Sequence, residues 1–125
     1  MAKTFALIFG VVFLVVGILG YFPNPIVGES AFFHTDGVHN VVHLVSGVFF
    51  LLVAFFAPAY AAIGMMVFGV VYLLVAILGF IGMDPVLGFI YVNRADNFLH
   101  LALGVVIGLV GLMSGKKGQS GPTMM

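Results

Sequence analysis

Four long apolar blocks separated by short polar stretches dominate the 125-residue chain, at about Thr4–Phe22, Val38–Phe56, Ala59–Ile81 and Ala95–Met113. Within each block the apolar residues are nearly continuous, so no helical face is set aside for water. A bilayer core of about 30 Å takes about 20 helical residues to cross, and each block has that length. Strands would show an apolar and polar alternation that is absent here, and an open sheet would leave unpaired backbone groups in hydrocarbon. The pattern predicts an all-α integral membrane fold with four transmembrane helices.

Composition sharpens the reading. Only 6% of residues are charged and 63% are hydrophobic, against about 25% charged in a soluble domain. A chain with so few charges cannot cover a globule with a solvated surface, which excludes an ordinary soluble enzyme and a disordered protein. Lys and Arg number four, too few for a basic patch, so nucleic acid is excluded as a partner. There is no Cys, hence no disulfide framework, thiolate site or thiol nucleophile. The first block follows Lys3 as a signal peptide would. It is too long for that role and has no small-residue cleavage site, so it is expected to stay as a helix.

Lys3 precedes the first block, and Lys116 and Lys117 follow the fourth. With an even number of spans, the positive-inside rule puts both termini on the cytoplasmic side. The opposite loops hold Glu29, Asp36, Asp84 and Arg94. Ala57-Pro58 is then a tight inner turn, and residues 115–125 form a polar, Gly-rich cytoplasmic tail that is expected to be mobile.

The two halves repeat each other. Gly10-Val-Val-Phe-Leu-Val-Val-Gly-Ile-Leu-Gly20 matches Gly69-Val-Val-Tyr-Leu-Leu-Val-Ala-Ile-Leu-Gly79. Asn24-Pro-Ile-Val-Gly28 matches Asp84-Pro-Val-Leu-Gly88, and Asn40-Val-Val-His-Leu-Val-Ser-Gly-Val48 matches Asn97-Phe-Leu-His-Leu-Ala-Leu-Gly-Val105. Three collinear matches predict tandem duplication of a two-helix hairpin, with repeat one at about 4–56 and repeat two at about 59–113 of a 1–114 membrane domain. Each repeat has two spans and so enters the membrane in the same sense. The expected result is a parallel pseudo-two-fold bundle, unlike the inverted repeats of many transporters. Glycines at matching places, and Gly104-x-x-x-Gly108, predict close helix contacts.

The chemistry gathers at one level. His39, Asn40 and His43 begin the second span, and Asp96, Asn97 and His100 begin the fourth. His39 and His43 share a helix face by their spacing, as do Asp96 and His100. Ionisable groups within a span are costly and are functional candidates by default. Three readings compete. In the first, the cluster is structural: Asp36 and Asn93 are N-caps, Asp96 sits at the third helical position, and Asn40 and Asn97 bond across to a loop or span. In the second, His39, His43, Asp96 and His100 hold a divalent metal ion. In the third, His43 and His100 are axial ligands of a haem, with Gly47 and Gly104 leaving room for the macrocycle. The loops over this level carry Phe32, Phe33, Phe89 and Tyr91, either as lids or as interfacial aromatics, the second being the general habit of such residues.

On His39-Asn40-Val41-Val42-His43-Leu44 with Gly47, and Ala95-Asp96-Asn97-Phe98-Leu99-His100-Leu101 with Gly104, the chain resembles a family of small bacterial four-span membrane proteins known as a domain of unknown function. The resemblance runs from about Phe5 to Met113 and implies a protein of the bacterial inner (plasma) membrane. It brings no activity, substrate or cofactor. No nucleophile with a base, phosphate loop or pair of facing carboxylates is present in the sequence. The expectation is a non-enzymatic structural or accessory subunit that packs in lipid against other membrane subunits or as a homo-oligomer. The alternative is a metal- or haem-binding membrane protein using the paired histidines.

Overall fold

The structure, a computed structural model, describes residues 1–119. Four helices run in sequence: α1 (Ala2–Leu19), α2 (Gly37–Phe56), α3 (Ala61–Phe80) and α4 (Arg94–Gln119). All four are long and apolar enough to cross a membrane, and the chain is a multi-pass membrane protein. The loop between α1 and α2 carries a two-residue parallel pair, β1 (Val27–Gly28) with β2 (Phe33–His34). Nothing in the hydropathy pattern signals it, because two residues are too short to show a period.

The helix ends differ from the sequence reading in ways that local chemistry explains. α1 stops at Leu19 rather than Phe22, since Pro23 cannot continue a helix and restrains the residue before it. Asn24 closes this end: its Nδ2 donates to Leu19 O at 2.9 Å, Phe22 O at 2.7 Å and Val27 O at 2.8 Å. Its Oδ1 accepts from the amides of Ile26 and Val27. Between α2 and α3 the chain reverses through a single turn of 3-10 helix, Pro58–Tyr60, with Pro at its start, where a missing N–H is harmless. α4 runs past Met113 to Gln119, so the first part of the expected tail is helical; residues 120–125 lie outside the described residues.

Helices pair tightly within each hairpin and loosely between hairpins. In the first hairpin, a Cβ placed on Gly47 would stand 2.8 Å from Leu14 N and 2.9 Å from Gly10 O. In the second, a Cβ on Gly69 would stand 2.5 Å from Gly108 Cα. Both contacts are antiparallel and backbone to backbone. Such approach gains dispersion contacts where lipid supplies no hydrophobic drive. Larger side chains fill the wider gap between hairpins. The Phe13 and Tyr72 rings lie 5.3 Å apart, Phe50 and Phe68 4.8 Å, and Phe49 and Phe68 4.9 Å. Phe50, Met65 and Ile107 are fully buried around them. The outward faces, with Val15, Val45, Val70 and Val106 about half or more exposed, carry the apolar surface that lipid solvates.

A candidate metal site at the loop end of the bundle

The first turns of α2 and α4 meet beneath the two long loops, and both helices are capped by side chains. The Asp36 carboxylate accepts from His39 N at 3.0 Å. Asn93 Oδ1 accepts from Asp96 N at 2.9 Å, and Asp96 Oδ2 accepts in return from Asn93 N at 2.8 Å. This reciprocal pair is a capping box with Asn and Asp in place of the usual Ser/Thr and Glu/Gln. The structural reading of Asp36, Asn93 and Asp96 matches these bonds.

The caps fix the rotation of each helix, and the asparagines lock it. Asn40 lies so close to Gly20 that any Cβ there would overlap its amide, and Asn97 lies against Gly79 in the same way. The two contacts occupy equivalent places in the two hairpins. Asn40 Oδ1 and Asn97 Oδ1 are buried with no hydrogen-bond partner. The expected cross-helix bond is therefore missing at these oxygens, and a close contact to a glycine backbone stands in its place. With Asn40 turned toward α1, His39 is rotated by about 100° along the helix, and His39 and His43 face the other hairpin. Asn97 turned toward α3 does the same for His100.

The imidazoles converge. Ring centroids lie 4.6 Å apart for His39 and His43, 5.4 Å for His39 and His100, and 6.5 Å for His43 and His100. All three residues are buried, and each offers a ring nitrogen within 4.8 Å of those of the others. Asp96 is not among these groups; its Oδ2 is engaged in the cap. His39 Nδ1 lies 2.8 Å from Tyr91 O. A carbonyl only accepts, so Nδ1 carries the proton and the lone pair of Nε2 is left for a ligand. That arrangement is the usual partner-shell bond of a metal-ligating histidine. His43 Nδ1 and His100 Nδ1 are buried without partners.

A tetrahedral site with metal–nitrogen bonds of about 2.0–2.1 Å requires nitrogens about 3.3 Å apart. The rings therefore need to draw in by up to about 1.5 Å, a matter of small side-chain rotations. A haem has less room. The His39 ring lies close to both His43 and His100, and the adjoining cavity measures about 250 Å³, under the roughly 300–1,000 Å³ of sites for drug-sized ligands.

The loops cross-brace the hairpins above this cluster. Asn93 Nδ2 donates to Phe32 O at 2.9 Å, so the first loop is tied to α4. The His39–Tyr91 bond ties the second loop to α2. Phe32, Phe89 and Tyr91 are 67%, 48% and 45% exposed, while Tyr91 O lies against His39 and Phe32 O accepts from Asn93. Sequence reasoning missed Tyr91 O, because a carbonyl has no residue type to signal it. It also assigned no role to Asn24 and Tyr72, although the Asn24/Asp84 match was visible. Asp84 likewise serves its loop, accepting from Val92 N at 3.3 Å.

Fold and site together define a four-helix integral membrane protein with a buried histidine cluster near one end. The chain belongs to the family described as domain of unknown function DUF4383, whose model matches residues 3–113. No curated protein and no solved structure matches it.

Proposed function

We propose that this protein binds a divalent ion of the zinc type through His39, His43 and His100, and that the ion ties α2 of the first hairpin to α4 of the second. The observation that carries the reading is the mutual approach of three buried imidazole nitrogens, within 4.8 Å, one of them already oriented by Tyr91 O. Buried imidazoles with nothing to bond are costly, and a cation shared among them removes that cost. Nitrogen donors suit zinc and its neighbours rather than calcium or magnesium. Three protein ligands leave a fourth position for water or another small ligand. The role we assign to the ion is to join the two hairpins. The closeness of a third imidazole, His39, to both His43 and His100 favours this reading over a haem held between the latter two.

The equivalent Gly20–Asn40 and Gly79–Asn97 contacts support a duplicated hairpin as the origin of the bundle. Lys3, Lys116 and Lys117 support cytoplasmic termini in a bacterial inner membrane, with the site in its outer half. Packing with other subunits or with further copies of the chain would use the same apolar faces that lipid covers, and native mass in mild detergent reads it.

Metal analysis of protein purified without chelator, followed by zinc titration of the stripped protein, tests the reading. Close to one ion per chain is expected, with at least tenfold weaker binding in His43→Ala and His100→Ala. A folded wild-type protein that takes up no ion overturns it.

A further inference from the structure

A second cavity, of about 560 Å³, opens between the end of α1 and the start of α2, and none of the three clustered histidines lines it. Its walls include Tyr21, Phe22, Glu29, Thr35, Asp36 and Asn40. Glu29 and Ser30 are exposed, so the cleft meets water and headgroups rather than hydrocarbon. Thr35 and Asn40 are 1% and 2% exposed, and Thr35 Oγ1 and Asn40 Oδ1 have no hydrogen-bond partner. Each such atom is unfavourable until it is paired. Other bonds hold the frame: Thr35 N donates to Gly28 O at 3.1 Å, and Tyr21 Oη to Gly37 O at 3.0 Å. The corresponding place in the second hairpin is filled by apolar side chains. Counted forward from Gly28 and Gly88, Glu29 and Ser30 correspond to Phe89 and Ile90; counted back from the caps Asp36 and Asn93, Thr35 corresponds to Val92. Ile90 and Val92 are 6% exposed and pack with Val75 and Val86. The first hairpin has the equivalent cap and Gly–Asn contact but sets an acid and two hydroxyls where the second has only packing.

Charge selects the ligand. Glu29 and Asp36 line the cleft, and no Lys, Arg or His does. The end of α1 borders it through Gly20, Tyr21 and Phe22, and the last turn of that helix carries no basic residue; a helix C-terminus favours a cation. The opposite partial charge at the start of α2 is answered by Asp36, which accepts from His39 N. We propose that the cleft binds a primary ammonium group, carried by a small amine or by an aminoethyl lipid headgroup. Its three N–H donors match the acceptors left over: Thr35 Oγ1, Asn40 Oδ1 and a carboxylate. Tyr21 and Phe22, 51% and 62% exposed, offer ring faces to the cation. An anion would meet two carboxylates, and a quaternary ammonium brings charge but no donor. A calcium ion takes about six to eight oxygens, whereas Asn24 Oδ1 already accepts from two amides and Asp36 Oδ1 from His39 N. Water would pair the oxygens without answering the charge. The proposal goes beyond the metal reading and stands without it.

Amide chemical shifts of isotope-labelled protein in phosphatidylcholine nanodiscs, titrated with n-butylamine, test it, with butyltrimethylammonium, butyrate and calcium as controls. Saturable shifts at Thr35 and Gly37 are expected with butylamine and none with the controls. Thr35→Val, which copies the second hairpin, weakens binding about fivefold or more. Glu29→Gln, at an exposed position, weakens it about two- to threefold and decides the matter should Thr35→Val fail to fold. Zinc affinity stays within about twofold in both variants. Phosphatidylethanolamine added to the discs separates the two sources: a weaker apparent butylamine affinity assigns the site to the headgroup, an unchanged one to a free amine. Absence of a saturable shift with butylamine, equal binding of butyltrimethylammonium or calcium, or binding unchanged in either folded variant overturns the proposal. Loss of zinc binding in the wild type with butylamine binding retained overturns only the metal reading.

Discussion

Two glycines that face each other across α3 and α4 should respond very differently to the same methyl group. A Cβ on Gly69 would stand 2.5 Å from Gly108 Cα, 2.7 Å from Gly108 N and 3.0 Å from Gly104 O. All three are backbone atoms, so no side chain can swing aside. Restoring ordinary contact means moving the two helices apart by about 1 Å. That loosens the dispersion contacts along the rest of their interface, and overpacking of this kind costs about 1–3 kcal/mol. A Cβ on Gly108 meets only Gly69 Cα, at 3.7 Å, which is ordinary contact. Gly69→Ala is therefore expected to destabilise by about 2–3 kcal/mol, and Gly108→Ala by no more than about 0.5 kcal/mol, helped by alanine's better helix propensity. Reversible unfolding in mixed micelles with increasing SDS, followed by far-ultraviolet circular dichroism, measures both. Equal destabilisation by the two variants, or a neutral Gly69→Ala, refutes this close packing of α3 on α4.

The remaining predictions address the site and its frame. Asp96→Ala should cost about 1 kcal/mol through loss of the cap and leave zinc affinity within about twofold; a tenfold loss of zinc affinity by titration would restore Asp96 as a ligand. Zinc affinity should fall on acidification, because only neutral imidazole ligates and protons compete for the same lone pairs; zinc held undiminished at every pH down to acid unfolding contradicts a three-histidine site. Gly20→Ala and Gly79→Ala should destabilise by similar amounts in the SDS assay, since each displaces an equivalent asparagine, and their effects should add because the sites are well separated. Asn93→Ala should free the first loop as well as uncap α4, and faster amide exchange at residues around Phe32 than in wild type reports it.

Much of this protein is legible in its residues alone. Continuous apolar blocks of spanning length can only be helices in lipid, because hydrocarbon offers no partner for an unpaired backbone group. The caps at Asp36 and Asn93 are readable because capping is local, set by residue type and a spacing of three. The convergence of the histidines is suggested by the repeated Asn-x-x-His motif, but spacing along one helix cannot say which way that helix is turned. Tertiary contact decides it: Gly20 and Gly79 admit Asn40 and Asn97, and this directs His39, His43 and His100 inward. The same contacts leave the Asp96 carboxylate in its cap, bring Tyr91 O onto His39 from 52 residues away, and leave a cavity beside Tyr72. Periodicity and composition fix what each segment must be because those constraints act within a few residues. Which side chains meet depends on how closely two backbones approach, and that is settled only when the hairpins pack.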